Sequence, residues 1–392
     1  MAKFRNLFLI LSLSAAGMLR GKNPGRAAAR LIILGVLATV LAWPQAARAA
    51  TWMTTSDEVA MGRSAAQSLE KHYGLVKDQA LQERINAIGQ RIAAVCDRKD
   101  LKYSFKVLDS RDVNALSLPG GYVYVFRGLV ETMPSDDELA AIIGHEVGHI
   151  VKKHALHQME KQGLFSILLL LASMGNADVA VALQQTVLQA IMAGYSRADE
   201  QEADHLGFLY AWRAGFNPYG MSIGLSKLAD LERDKSGYSI FSSHPEPAAR
   251  LALLDKYLAE ADIRPQVVLS DKSAYLRDGK WQSPPLTATY GGYKPAARAD
   301  FFAGNLYRLR GLPEVDPAKL VMVPDEGGMT LYYQGRLLVT VTAGDAASAG
   351  LSVTDFAEAC AASVREWLAG LPNARRELPA QPVAGSGQEA GD

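Results

Sequence analysis

Apolar positions recur at helical spacing through most of the first two thirds of the chain. Thr54 to Asp97 reads as two helices, and Gln79–Val95 has a good amphipathic period. The spacing then shortens. Tyr103–Leu108 alternates as a strand, and Val113–Phe126 holds further extended structure with Pro119-Gly120-Gly121 as the turn between its halves. Helical spacing returns over Glu138–His154, preceded by the start signal Pro134-Ser135-Asp136-Asp137. Two apolar runs follow, Gly163–Met174 and Val179–Ala193. The first is too short to cross a bilayer, which takes roughly 20 residues. A buried hairpin is the simplest reading of the pair, and an apolar lid touching the membrane or unfolded clients is the alternative. Ser196–Gly207 and Met221–Arg233 read as helices, with Phe216-Asn217-Pro218 ending the first, and another helix carries Arg250 and Leu254.

Near Ile263 the pattern changes. Residues 265–317 are rich in Gly, Pro and aromatics and show no clear period. Thr330–Thr342 then reads as two strands around Gln334-Gly335, a hairpin signal. A helix runs from Ser352 through Leu368 with Ser352 or Thr354 as its cap, and a Pro, Ala, Gly and charge-rich tail closes the chain. The expected class is α+β. A mainly helical unit with a small sheet occupies 50–262, an accessory α+β module 263–371, and a disordered tail 372–392.

Residues 1–49 change the picture of where this happens. Lys3, Arg5, Arg20, Lys22, Arg26 and Arg30 precede the apolar run Leu31–Trp43, and Ala47-Arg48-Ala49 follows. Basic region, short apolar core and small-residue site are the parts of a secretory signal peptide, with cleavage expected after Ala49. The basic region is long, so Met18 is a second candidate start. An uncleaved N-terminal anchor is the alternative. The 392 residues carry 41 basic and 41 acidic side chains, a balance that suggests no nucleic-acid surface. Cys96 and Cys360 are the only cysteines. Two so far apart make no disulfide framework, and they read as buried thiols acting as small hydrophobes, with pairing left open.

The chemistry concentrates in His145-Glu146-Val147-Gly148-His149. Positions i and i+4 share a helix face, so His145 and His149 can hold one metal ion. Glu146 flanks the same site, where a carboxylate must be to take a proton from an activated water. Gly144 and Gly148 are poor helix formers, and their lack of side chains lets another element or a substrate backbone come close. Such a site needs a third ligand. Ser196-Arg197-Ala198-Asp199-Glu200-Gln201-Glu202-Ala203-Asp204 offers Glu200 and Asp204 four apart, one to bind the metal and one to accept the free ring N–H of a ligand histidine. Glu202 competes with Glu200 as the ligand. Beyond the motif, His154 and His157 read as exposed and not as ligands.

HExxH with a downstream ExxxD helix resembles the gluzincin zinc metallopeptidases of the HtpX and CAAX prenyl protease type. Three further segments carry the resemblance: Asn114–Gly121 with Tyr122–Gly128, Ser196-Arg197 ahead of Glu200, and Ser243-His244-Pro245-Glu246-Pro247 with Arg250. It covers about Val59 to Leu254. The resemblance implies a zincin-like domain with one zinc held by His145, His149 and Glu200, Glu146 as general base, and Asp204 orienting a ligand histidine. It also implies a substrate-binding edge strand beside the metal helix, built from Asn114, Gly120, Gly121, Tyr122, Val123 and Tyr124. His244 reads either as a loop residue or as a fourth ligand or oxyanion stabiliser. Arg250 reads as packing or pairing with an acid, or as facing the cleft. Envelope members of this family degrade misfolded or stalled outer-membrane proteins. The expected substrates are therefore unfolded or misassembled envelope proteins, with assembly machinery as a partner of the C-terminal module and peripheral membrane contact allowed. The expected place is the periplasm. A periplasmic chaperone with a latent metal site and a zinc amidase acting on cell-wall peptides are the competing functions.

Overall fold

The computed structural model describes residues 54–161, 188, 191, 194–233 and 247–371. The leader, both apolar runs after the metal motif except for Leu188 and Ile191, His244 and the tail lie outside the described residues.

Two helices open the described chain, α1 (Thr55–Tyr73) and α2 (Gln79–Val95), capped by the side chains of Thr54 and Asp78. A three-stranded sheet follows, made of β1 (Ser104–Leu108), β2 (Ala115–Leu118) and β3 (Tyr122–Phe126) in the order β1-β3-β2. β3 runs parallel to β1 and antiparallel to β2. Its Val123 and Val125 face the core shared with α2, while Tyr124 and Phe126 face a second core shared with α1. Tyr122–Phe126 is therefore the central strand, which overturns its expected place at the edge. The reason is visible in the residues: a strand that is apolar at every position buries both faces. Gly120 and Gly121 form the turn with φ of 81° and 98°, and the Gly120 N–H donates to Glu58 Oε1 at 3.0 Å. Tyr124 donates its hydroxyl to Glu70 at 2.6 Å. β1 and β2 are the two edges: along β1, Val76 N donates to the Val107 carbonyl oxygen at 3.1 Å, whereas among the described residues no strand pairs with the outer side of β2.

After the short α3 (Arg127–Thr132) comes the central helix α4 (Asp136–Val151). Ser135 and Glu138 close a capping box at its start, and every residue from Glu138 to Ile150 is buried. α5 (His154–Lys161) follows after a break. α6 (Arg197–Arg213), boxed by Ser196 and Asp199, lies against α4 at close range. A Cβ at Gly144 would sit 2.9 Å from the Gly207 carbonyl oxygen, and one at Gly148 3.2 Å from Ala203 Cα. The missing side chains thus admit α6. Conversely, a Cβ on Gly207 would lie 2.8 Å from His145 N and 3.0 Å from its Cα. Gly207→Ala pushes the two helices apart where they carry the site. It is expected to destabilise by about 1–3 kcal/mol and to weaken zinc binding, read by urea denaturation and chelator competition.

The fold continues through α7 (Gly220–Arg233) and α8 (Pro247–Glu260), then β4 (Gln266–Ser270), β5 (Ser273–Asp278) and β6 (Trp281–Gln282) in one antiparallel sheet. α9 (Pro295–Leu309) leads to β7 (Leu320–Asp325), β8 (Gly328–Tyr333) and β9 (Arg336–Thr342), then α10 (Ala343–Ser348) and α11 (Val353–Ala369). Gln334 and Gly335, with φ of 50° and 78°, make the expected two-residue turn between β8 and β9. The class is α+β, as the pattern implied. One apolar cluster runs from Ile85 to Leu368, so the C-terminal module shares its core with the metal-helix unit. Arg308 pairs with Asp137 at 2.6 Å and Tyr293 donates to Glu138 at 2.7 Å, both in the first turn of α4. Cys96 and Cys360 are buried free thiols. Among the described residues no helix is long and apolar enough to cross a membrane.

Candidate metal centre

α4 and α6 bring three ligand atoms together. The Nε2 atoms of His145 and His149 are 3.0 Å apart, and the Glu200 carboxylate lies 3.4 Å from His149 Nε2 and 3.7 Å from His145 Nε2. All three side chains are buried. A tetrahedral ion with bonds of about 2.0–2.1 Å needs its ligand atoms roughly 3.3 Å apart. The separations match, and two imidazoles with a carboxylate are a zinc donor set. Glu202, the competing choice, points elsewhere, toward Lys152 at 2.7 Å and His154 at 3.2 Å.

Each histidine is held through its other nitrogen. Asp204 Oδ1 sits 2.9 Å from His145 Nδ1, which leaves Nε2 to face the ion. Asp204 in turn receives two hydrogen bonds of 2.7 Å from Arg250, whose guanidinium also lies 3.4 Å from Glu200. Burial pushes the Asp204 carboxyl up, but the Arg250 charge, with hydrogen bonds from Arg250 and His145, outweighs it and holds it at about 2. Burial also lowers His145 below the ordinary imidazole value, which favours the neutral ring a metal requires. Of the two readings of Arg250, the geometry is that of the acid pair.

His149 has a different partner. Its Nδ1 is 2.8 Å from His154 Nδ1, and His154 Nε2 lies 3.2 Å from Glu202 and 3.7 Å from Asp199. His154 is 2% exposed, so the expectation of an exposed side chain is overturned. Lys153 explains it: with φ of 56° it breaks the helix and folds His154 back onto the ring five residues earlier. His157 is exposed, as expected. Tyr195 stacks on the His149 ring with centroids 4.0 Å apart. A ligand's outer partner is worth about 10–100-fold in metal affinity. His154→Phe is accordingly expected to weaken zinc binding within that range while the protein still folds, as read by chelator competition and thermal melting.

Glu146 is buried beside this cluster, and the Ser117 hydroxyl donates to its Oε2 at 2.8 Å. Ser117 is on β2, so the free strand edge and the carboxylate are tied together. Of the residues expected on a substrate strand, Asn114 is buried just before β2, and Gly120, Gly121, Tyr122, Val123 and Tyr124 belong to the turn and the central strand. Sequence reasoning missed Ser117, His154 and Tyr195. Only nearness in the chain to the two motifs pointed to His154 and Tyr195, and only a place in the segment Asn114–Gly121 pointed to Ser117.

Residues 79–258 match Peptidase family M48, and residues 285–370 match a family described as a domain of unknown function, DUF8459. The chain is 28% identical over 239 residues to the beta-barrel assembly-enhancing protease of Escherichia coli K12, a match covering 58% of this chain and 49% of that protein. It is 29% identical over 182 residues to the mitochondrial metalloendopeptidase OMA1 of Schizosaccharomyces pombe, covering 46% and 54%. It is 31% identical over 153 residues to metalloprotease LoiP of Escherichia coli K12, covering 38% and 59%. The chain spans about half the length of these curated relatives. The matches agree with the zinc metallopeptidase resemblance carried by the motifs.

Proposed function

We propose that this chain, whose residues 79–258 match Peptidase family M48, is a zinc-dependent endopeptidase of the bacterial cell envelope that cuts misfolded or stalled envelope proteins. The observation that carries this is Glu146, buried next to the His145, His149 and Glu200 cluster and held by Ser117 on a free strand edge. Zinc bound there supplies a Lewis acid that polarises a carbonyl and acidifies a water. Glu146 takes the proton of the attacking water and delivers it to the leaving amine. His145, fixed by Asp204 and Arg250, and His149, fixed by His154, keep their Nε2 lone pairs aimed at the ion. The edge of β2 receives the substrate backbone as an added strand, which gives affinity with little sequence demand and suits unfolded chains. The envelope assignment rests on the composition of residues 1–49. One relative is named for enhancing beta-barrel assembly. By analogy, the C-terminal module is the part that positions such a client or its assembly machinery.

The test is metal content and casein cleavage of the protein from Ala50 onward. A single bound zinc is expected, with cleavage abolished by 1,10-phenanthroline and restored by added zinc. Zinc-loaded protein that cuts no unfolded chain but hydrolyses cell-wall peptides would replace this reading with the amidase. Binding of unfolded protein without hydrolysis of either substrate would replace it with the chaperone.

A further inference from the structure

A cleft with about 500 Å³ of space lies between α7, α8, α9 and β4. That volume is ordinary for a small-molecule site, which runs from about 300 to 1,000 Å³. α8 separates it from the metal centre: Arg250 reaches Asp204, whereas the next residue, Leu251, lines the cleft. Leu251, Leu258 and Val267 make much of the wall apolar. Asp300 of α9 is set into this wall, 7% exposed, and among the described residues its carboxylate has no hydrogen bond or ion pair. Buried polar groups are nearly always partnered, so an unpartnered carboxyl opening onto a cleft marks a place where a ligand can meet it. Asp255 of α8 lines the same cleft from the solvent-exposed side.

Burial, reinforced by the Asp255 charge, holds the Asp300 carboxyl well above the ordinary value. The group is therefore set to gain from a positive charge. Arg277, the one cationic residue of the lining, is exposed on β5. A divalent metal fits poorly, because hard cations take about six or more oxygen ligands and this cleft pairs two carboxylates with hydrocarbon. An apolar wall beside acidic groups calls for a ligand with both characters.

We propose that this cleft binds a small organic cation, an ammonium group on an apolar body, with its charge between Asp300 and Asp255. The site is independent of the peptidase reading, since no residue of the metal centre lines it.

The test titrates n-hexylammonium and its neutral counterpart 1-hexanol into the zinc-loaded protein by calorimetry. Hexylammonium is expected to bind at least about tenfold more tightly. Asp300→Asn, close in shape to the protonated acid, is expected to erase that preference and leave the melting temperature near the parent's. If Asp300→Asn does not fold, Asp255→Asn carries the same comparison from an exposed position. Ala252→Trp, which plugs the cleft from its exposed side, is expected to abolish binding of both probes. The assignment is overturned by equal affinity for the two probes, by absence of saturable hexylammonium binding, or by a preference that survives both Asp300→Asn and Asp255→Asn. Displacement of hexylammonium by calcium would make this a divalent-cation site and overturn it as well.

Discussion

Glu146→Gln is expected to keep its zinc and its fold and to lose peptide hydrolysis by a factor on the order of 10²–10⁴, the usual worth of a general base. The substitution changes one atom. Glutamine occupies the same volume in a buried position, and its amide oxygen still accepts from the Ser117 hydroxyl, now 2.8 Å from Glu146 Oε2. His145, His149 and Glu200 are untouched, so metal content is expected to stay at the parent level. What disappears is the negative charge of the carboxylate and, with it, the ability to take a proton from water and return it to the leaving amine. The loss is therefore expected in kcat with KM little changed, because the β2 edge that would bind the substrate is intact. Metal analysis and casein kinetics measure both parts. Unchanged turnover would remove Glu146 from the reaction. Loss of zinc would show that the carboxylate is structural.

Much of this site was legible along the chain because it is written on two helices. The i, i+4 spacing of His145 and His149 places them on one face whatever the surroundings, and the same holds for Glu200 and Asp204. Gly144 and Gly148 announced a close neighbour, which proved to be α6. The choice between Glu200 and Glu202 needed three dimensions, since both lie on α6 and only the packing angle decides which reaches the ion. His154 was misjudged for a local reason. Extrapolating the helix sends it away from His149, and the left-handed Lys153 turns it back. The β1-β3-β2 order was open because strand pairing is not local. α9 was hidden by its own interior. It buries Arg298, Asp300, Ala303 and Gly304 among its apolar residues, so no clean stripe appears. Arg298 is paired there with Asp345 at 2.7 Å, a long-range contact that the sequence does not signal.

Arg250→Met is the substitution expected to cost the most stability. The guanidinium is buried and donates twice to Asp204, with Glu200 3.4 Å away. Removing it leaves two buried carboxylates without their cation, and breaking such a pair costs about 3–5 kcal/mol. Methionine fills part of the volume, so the loss is mainly electrostatic. The double variant Arg250→Met with Asp204→Asn removes one stranded charge and is expected to recover a large part of the loss. Urea denaturation of the chelated proteins measures this without help from bound metal. The pH dependence has a fixed sign. Asp204 is held at about 2 in the folded protein, below its unfolded value near 3.9. Its contribution is full above the unfolded value and is lost as pH falls toward 2. In Arg250→Met the cation is gone and burial dominates, so the Asp204 carboxyl rises and protonates at higher pH. The gap between parent and variant is then expected to narrow on acidification, as the variant's stranded carboxylate becomes neutral while the parent loses its pair. A gap independent of pH between neutrality and pH 3 would mean that Arg250 acts through packing alone, and that the hydrogen bond from His145 to Asp204 does not depend on the charge of the carboxylate.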